Sequence, residues 1–375
     1  MSESLPSTMR RLVTEAGPDG AFALRVESAD IPALGPDQVL VKVEAAPIHP
    51  SDISLLFPGS ELPEDARSEG GRLSGQLSKM GRAAARGREG MPLVPGNEGA
   101  GTIVAAGSEK LEGWVGRSVA VSGGQTYAEY VAVEPQRCLP LPEGTSMDAG
   151  AAAFVNPMTA LSMIEVLKRG GHSGLVHTAA ASALGQMLAR ICVADGIPLV
   201  GVVRKDAQRD LLKEIGLEHV VSSADETFFK DLVEACRATR ATLAFDAVGG
   251  GPLAGTLVAA MERVAAESMT EYSRYGSAQK KEAYIYGRLD LSPVEIPSSV
   301  GFAWTVGGFL LPQFLPTLSP ETRGAMAKRV AKELETTFAV SYARTLSLEE
   351  VVQLDVAEHY LRRSTGEKML IHPQS

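Results

Sequence analysis

Two stretches constrain the fold of this chain more than any other: Leu175-Val-His-Thr-Ala-Ala-Ala-Ser-Ala-Leu-Gly185 and, further along, Leu199-Val-Gly-Val-Val-Arg-Lys205. The first reads as a buried strand, a turn of small residues and the start of a helix. The second reads as another buried strand ending in two positive charges. In a dinucleotide-binding βαβ unit, the pattern G-x-G-x-x-G lets the backbone approach a pyrophosphate at the helix N-terminus. The three positions here are Ala180, Ser182 and Gly185, and only the third, where helix and strand pack closely, is glycine. With Ala183 and Leu184 they make a candidate pyrophosphate cradle, although small residues fill any tight strand-to-helix turn.

The residues at the tip of the second strand discriminate between cofactors. An NAD site places Asp or Glu there for the ribose hydroxyls, whereas an NADP site needs a cation for the 2′-phosphate. Arg204 and Lys205 stand at the strand tip, and the first acid is Asp206. A guanidinium meets a phosphate through two parallel hydrogen bonds and a lysine adds a point charge. NADPH rather than NADH is therefore the expected cofactor. A solvated strand end is the competing explanation of the two charges.

A chain of 375 residues should hold two domains. The formal net charge of −9 argues against nucleic acid or an anionic membrane as the main partner. A basic segment (Arg67, Arg72, Lys79, Arg82, Arg86, Arg88) is interleaved with Gly, Ala and Glu and reads as solvated. Cys138, Cys192 and Cys236 are widely spaced, which fits a reducing cytoplasm better than a disulfide framework. The opening Met-Ser-Glu-Ser-Leu-Pro lacks the basic and apolar regions of a signal peptide. No uninterrupted apolar run reaches about 18 residues, so no membrane-spanning helix is expected.

The first part of the chain alternates short β-rich runs with turns: Gln38–Glu44, Gly101–Gly107, Ser118–Ser122 and Tyr127–Val133. The Gly-, Ser- and Arg-rich stretch between Pro58 and Pro92 shows no clear period and reads as an insertion. From Ala149 the character changes. Asp148 to Leu167 has helical spacing, and then strands 174–179, 198–203, 218–221 and 241–246 alternate with helices 183–195, 206–215 and 224–237. That order predicts a parallel sheet with helices on both faces. Thr242-Leu-Ala-Phe-Asp-Ala-Val-Gly249 delivers Asp246 and a small turn with Val248 to the C-terminal sheet edge, where ligands bind in open α/β sheets. Ala283-Tyr-Ile-Tyr-Gly287 repeats the arrangement with Tyr286 and Gly287. An aromatic segment, Phe302–Phe309, precedes a helix over 320–336. The tail holds a strand, a helix over 347–362 and a final strand at Met369–His372.

Together these residues resemble the medium-chain dehydrogenase/reductase superfamily, particularly its zinc-independent quinone oxidoreductase and enoyl reductase branches. The resemblance covers nearly the whole chain. It is carried by Ile48-His-Pro-Ser-Asp52, Pro95-Gly-Asn-Glu-Gly-Ala-Gly101, Val155-Asn-Pro-Met-Thr-Ala160, the turn from Ala180 to Gly185, Phe245-Asp-Ala-Val-Gly-Gly250 and Gly366-Glu-Lys368. It implies an α/β fold: a Rossmann doubly wound parallel sheet plus a GroES-like β-rich catalytic domain built from both chain ends. The expected boundaries are a catalytic domain over 1–154, an NADP-binding domain over 155–335 and a return to the catalytic domain over 336–375. A homodimer is also implied, with residues around 283–310 as the interface.

The zinc branches of this superfamily provide a contrast. Their first catalytic ligand is a cysteine where this chain has His49, and their second is a histidine where it has Asn97. Near Val155, where they usually carry a third, there is no cysteine, and the four-cysteine lobe is missing. Zinc needs three or four such ligands, so no metal is expected. The resemblance then implies hydride transfer to a small electrophile, a quinone or an α,β-unsaturated carbonyl.

His49 is the candidate catalytic group, as a hydrogen-bond or proton donor, or it is a packed interface histidine. Asn156 and Thr159 match an Asn-Pro-x-Thr-Ala motif that lines the nicotinamide site, or they cap their helix. Lys368 matches a lysine that approaches the cofactor in quinone oxidoreductases, or it is an exposed turn lysine. The enoyl-thioester reductases carry a tyrosine just after Pro-Ser-Asp, where this chain reads Ile-Ser-Leu-Leu-Phe57; that departure weighs against a thioester substrate. A zinc-free alcohol or aldehyde oxidoreductase and a non-catalytic NADPH-binding sensor are the alternatives.

Overall fold

The computed structural model describes residues 5–362, 366 and 368–375. Met1 to Ser4, and Glu367 of the Gly366-Glu-Lys368 motif, lie outside the described residues. The chain divides into two compact units, one of Met1–Val155 with Ala327–Ser375 and the other of Asn156–Met326. The second division falls inside helix Pro320–Lys332, ahead of the 335/336 boundary expected from sequence.

The unit containing both chain ends is β-rich. Strand Val39–Pro47 is its hub: it pairs antiparallel with Glu98–Ala106 and Tyr130–Val133, and with the C-terminal strand Met369–Ile371. Val39, Val41 and Val43 are buried while Lys42 and Glu44 are partly exposed, the period-2 alternation that the sequence displays. A separate four-stranded sheet runs in the order Thr8–Ala16, Ala21–Asp30, Arg72–Gln76, Arg67–Glu69.

The last two of these strands lie in the stretch read as an insertion, which carries secondary structure that its sequence pattern does not display. Residues 67–76 form a hairpin that adds to the sheet, and helix Lys79–Ala85 comes next, with Ser78 Oγ accepting from Gly81 N at 3.0 Å. Three apolar side chains, Leu73, Leu77 and Ala85, anchor it in the same core as Phe22, Leu56 and Phe57. Burying two leucines and an alanine contributes on the order of 4 kcal/mol, enough to order a segment whose other residues are polar or glycine.

The other unit is a six-stranded parallel sheet in the order His219–Ser222, Leu199–Val203, Gly174–His177, Ala241–Asp246, Lys281–Ile285, Trp304–Gly308. In chain order this is 3-2-1-4-5-6, the doubly wound arrangement whose direction reverses between the first and fourth strands. Leu175 pairs with Leu199 on one side and Leu243 on the other, and all three are buried. Helix Ala183–Asp195 has the expected bounds, and strand Gly174–His177 ends before the expected residue 179.

The single helix expected from Asp148 is two, Met147–Gly150 and Val155–Gly170; the one expected over 347–362 is also two, Leu348–Val351 and Leu354–Leu361. Met147–Gly170 contains an 18-residue window of mean hydropathy 1.3, apolar and long enough by composition alone to cross a membrane. Of that window, 78% is buried inside the protein, as for a core helix.

Candidate functional site

In the Rossmann unit, the sheet edge at the reversal point is built from two interlocked turns. Thr178 Oγ1 donates to Asp246 Oδ1 at 2.6 Å and accepts from Ala247 N at 2.8 Å. The same carboxylate accepts from Val248 N at 2.9 Å and Gly249 N at 3.1 Å. Asp246 is fully buried, and these protein bonds occupy both its oxygens. It therefore shapes the turn that carries Val248.

Between strand and helix, Ala179 is held at φ +48°, a left-handed conformation that costs an L-residue about 1 kcal/mol. Ser182 caps helix Ala183–Asp195, its Oγ accepting from Gly185 N at 3.2 Å. The first N–H groups of a helix have no partner within it, so those of Ala183 and Leu184 emerge at the N-terminus, where anions bind. A Cβ on Gly185 would lie 2.2 Å from the Ala180 carbonyl oxygen. The glycine is therefore required by the close approach of turn and helix. Gly287 is constrained in the same way, since its Cβ would lie 2.3 Å from the Ala247 oxygen.

Beside this edge, Tyr286 Oη is 2.8 Å from His177 Nε2 and the two rings stack with centroids 5.6 Å apart. His177 is fully buried, and its Nδ1 has no hydrogen-bond partner. Burial pushes its imidazole down to about 3, so it is neutral at physiological pH. Tyr286 is pushed well above its usual range, first by burial and then by the Asp246 charge. Sequence reasoning singled out Tyr286 but not its partner, which looks like one more residue of an apolar strand.

Arg204 and Lys205 are exposed at the end of strand Leu199–Val203, and Lys205 is the N-cap of helix Asp206–Glu214. Arg209, not these two, pairs with Asp206 and Asp225, at 3.5 and 2.7 Å. Among the described residues, Arg204 and Lys205 have no salt bridge. A close-approach turn, emergent helix N–H groups and two uncommitted cations fit a dinucleotide carrying an extra phosphate. Asn156, half-buried, lies on the first turn of helix Val155–Gly170, and Thr159, buried, stands just beyond it.

The β-rich unit holds a chain of buried polar side chains. His49 is the N-cap of helix Pro50–Leu56 and is 2% exposed. Its Nε2 lies 2.5 Å from Glu98 Oε1, and its backbone N–H donates to Asp52 Oδ2 at 2.8 Å. Asp52 Oδ1 accepts from Asn97 N at 3.0 Å. Both carboxylates are fully buried, and burial, partly offset by His49, raises that of Asp52. Glu98 Oε2 accepts from Phe154 N at 2.9 Å and Val155 N at 2.8 Å. Glu98, rather than Asn156, therefore receives the first N–H of that helix.

Lys368 Nζ stands 3.5 Å from His49 Nδ1 and 5.9 Å from the Tyr342 ring centroid. The Tyr342 hydroxyl is buried without a hydrogen-bond partner. Nothing in the sequence marked Tyr342, which reaches this cluster only through folding. Phe57, where the thioester reductases carry a tyrosine nearby, is a fully buried core residue packed on Phe22 and Tyr360. Among the described residues, no three His, Cys, Asp or Glu side chains form a group able to hold a metal ion.

Residues 35–143 match the family model of the alcohol dehydrogenase GroES-like domain. The mitochondrial enoyl-[acyl-carrier-protein] reductase of Bos taurus is 28% identical over 260 residues, 65% of this chain and 61% of that protein. The chain thus spans about three fifths of the length of that curated relative. A quinone oxidoreductase of Pseudomonas aeruginosa is 27% identical over 43% of this chain and 50% of its own. A crystal structure from Mesorhizobium loti, of a protein assigned as an NADPH:quinone reductase, superposes with a TM-score of 0.75. It is 27% identical and covers 99% of this chain and 100% of its own.

Proposed function

Starting from its membership of the medium-chain dehydrogenase/reductase superfamily, we propose that this chain is an NADPH-dependent oxidoreductase whose acceptor is a quinone or an α,β-unsaturated carbonyl, working without a metal. The observation that carries the cofactor reading is the pairing of the Gly185 close-approach turn with the free cations Arg204 and Lys205. The N–H groups at Ala183 and Leu184 receive the pyrophosphate, and Arg204 and Lys205 receive the 2′-phosphate. When bound, NADPH supplies a hydride. The protein orients the acceptor and meets the negative charge that develops on its oxygen. The candidate polar group for this role in the β-rich unit is Lys368, whose ammonium has N–H bonds beyond the one aimed at His49.

An enoyl thioester is the second reading, favoured by similarity to the bovine enoyl reductase. Against it stands Phe57, a core residue without a hydroxyl. The deciding experiment is NADPH and NADH oxidation by chelator-treated protein against quinones, enones, enoyl thioesters and aldehydes. Turnover of a quinone or enone with NADPH supports the proposal, and turnover confined to thioesters or alcohols moves the substrate class. Tight NADPH binding without any turnover favours a sensor. We further propose a homodimer through Trp304–Gly308, the open edge of the six-stranded sheet, flanked by Phe302 and Leu310, 78% and 53% exposed. A monomeric mass by sedimentation equilibrium at micromolar concentration would refute that assembly.

A further inference from the structure

His49 is the positional candidate for a proton donor, yet its hydrogen bonds leave it nothing to donate. Its Nδ1 faces the Lys368 ammonium at 3.5 Å. A lysine ammonium donates only, so Nδ1 presents its lone pair and the ring proton sits on Nε2, aimed at Glu98 Oε1 at 2.5 Å. Glu98 is fixed in turn by the backbone N–H groups of Phe154 and Val155. At 2% exposure His49 has no second face to offer. Lys368 is different: the residue as a whole is half-buried, its ammonium has three N–H bonds, and among the described residues no carboxylate forms a salt bridge with it.

We propose that Lys368, and not His49, hands the proton to the substrate, with His49, Glu98 and Tyr342 as the positioning residues that aim it. This rests on the reductase reading above. Each hydride accepted by a quinone or enone leaves one proton to be supplied. The Lys368 Nζ–H bond breaks as the substrate O–H or C–H bond forms, its electron pair stays on nitrogen, and the neutral amine recovers a proton from water.

The groups facing Lys368 are His49 and Asp52 at helix Pro50–Leu56, Glu98 at the start of its strand, and the Tyr342 ring. Burial lowers the ammonium to about 8, against the opposing pull of Glu98 and then Asp52. It is therefore charged at pH 7 and releases its proton readily, as a general acid near neutrality must.

The test combines kcat–pH profiles of the wild type, Lys368→Met, Lys368→Arg and Tyr342→Phe with competitive acetylation of Lys368 followed by mass spectrometry. NADPH binding, by fluorescence titration, controls for folding. The wild-type kcat should fall above about pH 8, in step with the acetylation midpoint. Lys368→Met should lose about 100-fold in kcat, with NADPH affinity retained and the basic limb gone. Lys368→Arg keeps a cation that does not release its proton in this range, and should lose nearly as much.

Wild-type kcat in Lys368→Arg would reduce Lys368 to a fixed charge and overturn the proposal. So would a basic limb that persists in Lys368→Met but vanishes in Tyr342→Phe. If the wild type turns over no acceptor, the reductase reading fails. The acetylation midpoint then decides the geometry alone, and an ordinary lysine value near 10.5 would refute it.

Discussion

The two polar regions of this molecule spend their hydrogen bonds in opposite ways. Around Thr178–Gly185 and Asp246–Gly249, apart from the bond from Thr178 to Asp246, side chains bond to backbone: Asp246 and Ser182 hold turns, and the absence of a Cβ at Gly185 matters as much as any group present. Around His49, Asp52 and Glu98 also take backbone N–H groups, but a series of side chains runs on from Glu98 through His49 to Lys368, and the last member keeps spare donors. A surface that must admit a large rigid ligand is made by backbone shape. A site that moves a proton needs titratable groups in series.

The comparison can be broken most severely at Glu98. Glu98→Ala would strip partners from His49 and from the N–H groups of Phe154 and Val155, all in a buried setting. The expected loss is about 3 kcal/mol in urea unfolding, and a loss below about 1 kcal/mol would show that the chain of side chains is not a structural unit.

Gly185→Ala tests the other region. A methyl group 2.2 Å from a carbonyl oxygen forces the turn and helix apart. The cost should be about 2 kcal/mol, accompanied by weaker NADPH binding, whereas a variant with unchanged affinity would separate the turn from the cofactor site.

His177 gives the Rossmann unit a pH signature. Its folded value of about 3 lies below the ordinary 6.5, so between these limits the unfolded chain binds more protons than the folded one. Stability contributed there is complete above pH 6.5 and is lost as pH falls, by up to about 1.4 kcal/mol per unit. Denaturant midpoints of His177→Phe should show a shallower acid slope than the wild type, and identical slopes would contradict the neutral buried imidazole. The smallest expected effect is at Ala179, where glycine accepts φ +48° freely. Ala179→Gly should stabilise the chain by no more than about 1 kcal/mol, seen as a small rise in Tm; a fall would mean that the turn is not strained.

The Rossmann unit was readable from sequence because its signals are local: buried apolar strands of four to six residues alternate with helices, and caps such as Ser182 mark their starts. The hairpin at 67–76 was not. Its first strand, Arg67–Glu69, is exposed at every residue and so carries no alternation, and its anchors are two leucines spaced like many others. The helix expected over 347–362 breaks at Gln353 without proline or glycine, beside a Val352 carbonyl that accepts from Ser68 Oγ, far away in sequence, at 2.8 Å. At the site, His49 and Lys368 were visible as motif positions. Their coupling to Glu98 and Tyr342 was hidden, because it joins residues far apart in sequence.

The central claim is that a phosphate-reading pair selects NADPH, and direct titration of both nicotinamide cofactors tests it. The wild type should bind NADPH more tightly than NADH, and Arg204→Ala with Lys205→Ala should erase that preference. The loss expected is about 10- to 100-fold in NADPH Kd, from about 1.5–3 kcal/mol of charge-assisted hydrogen bonding, with NADH affinity little changed. Equal weakening of both cofactors, or a preference that survives the double substitution, would contradict the account.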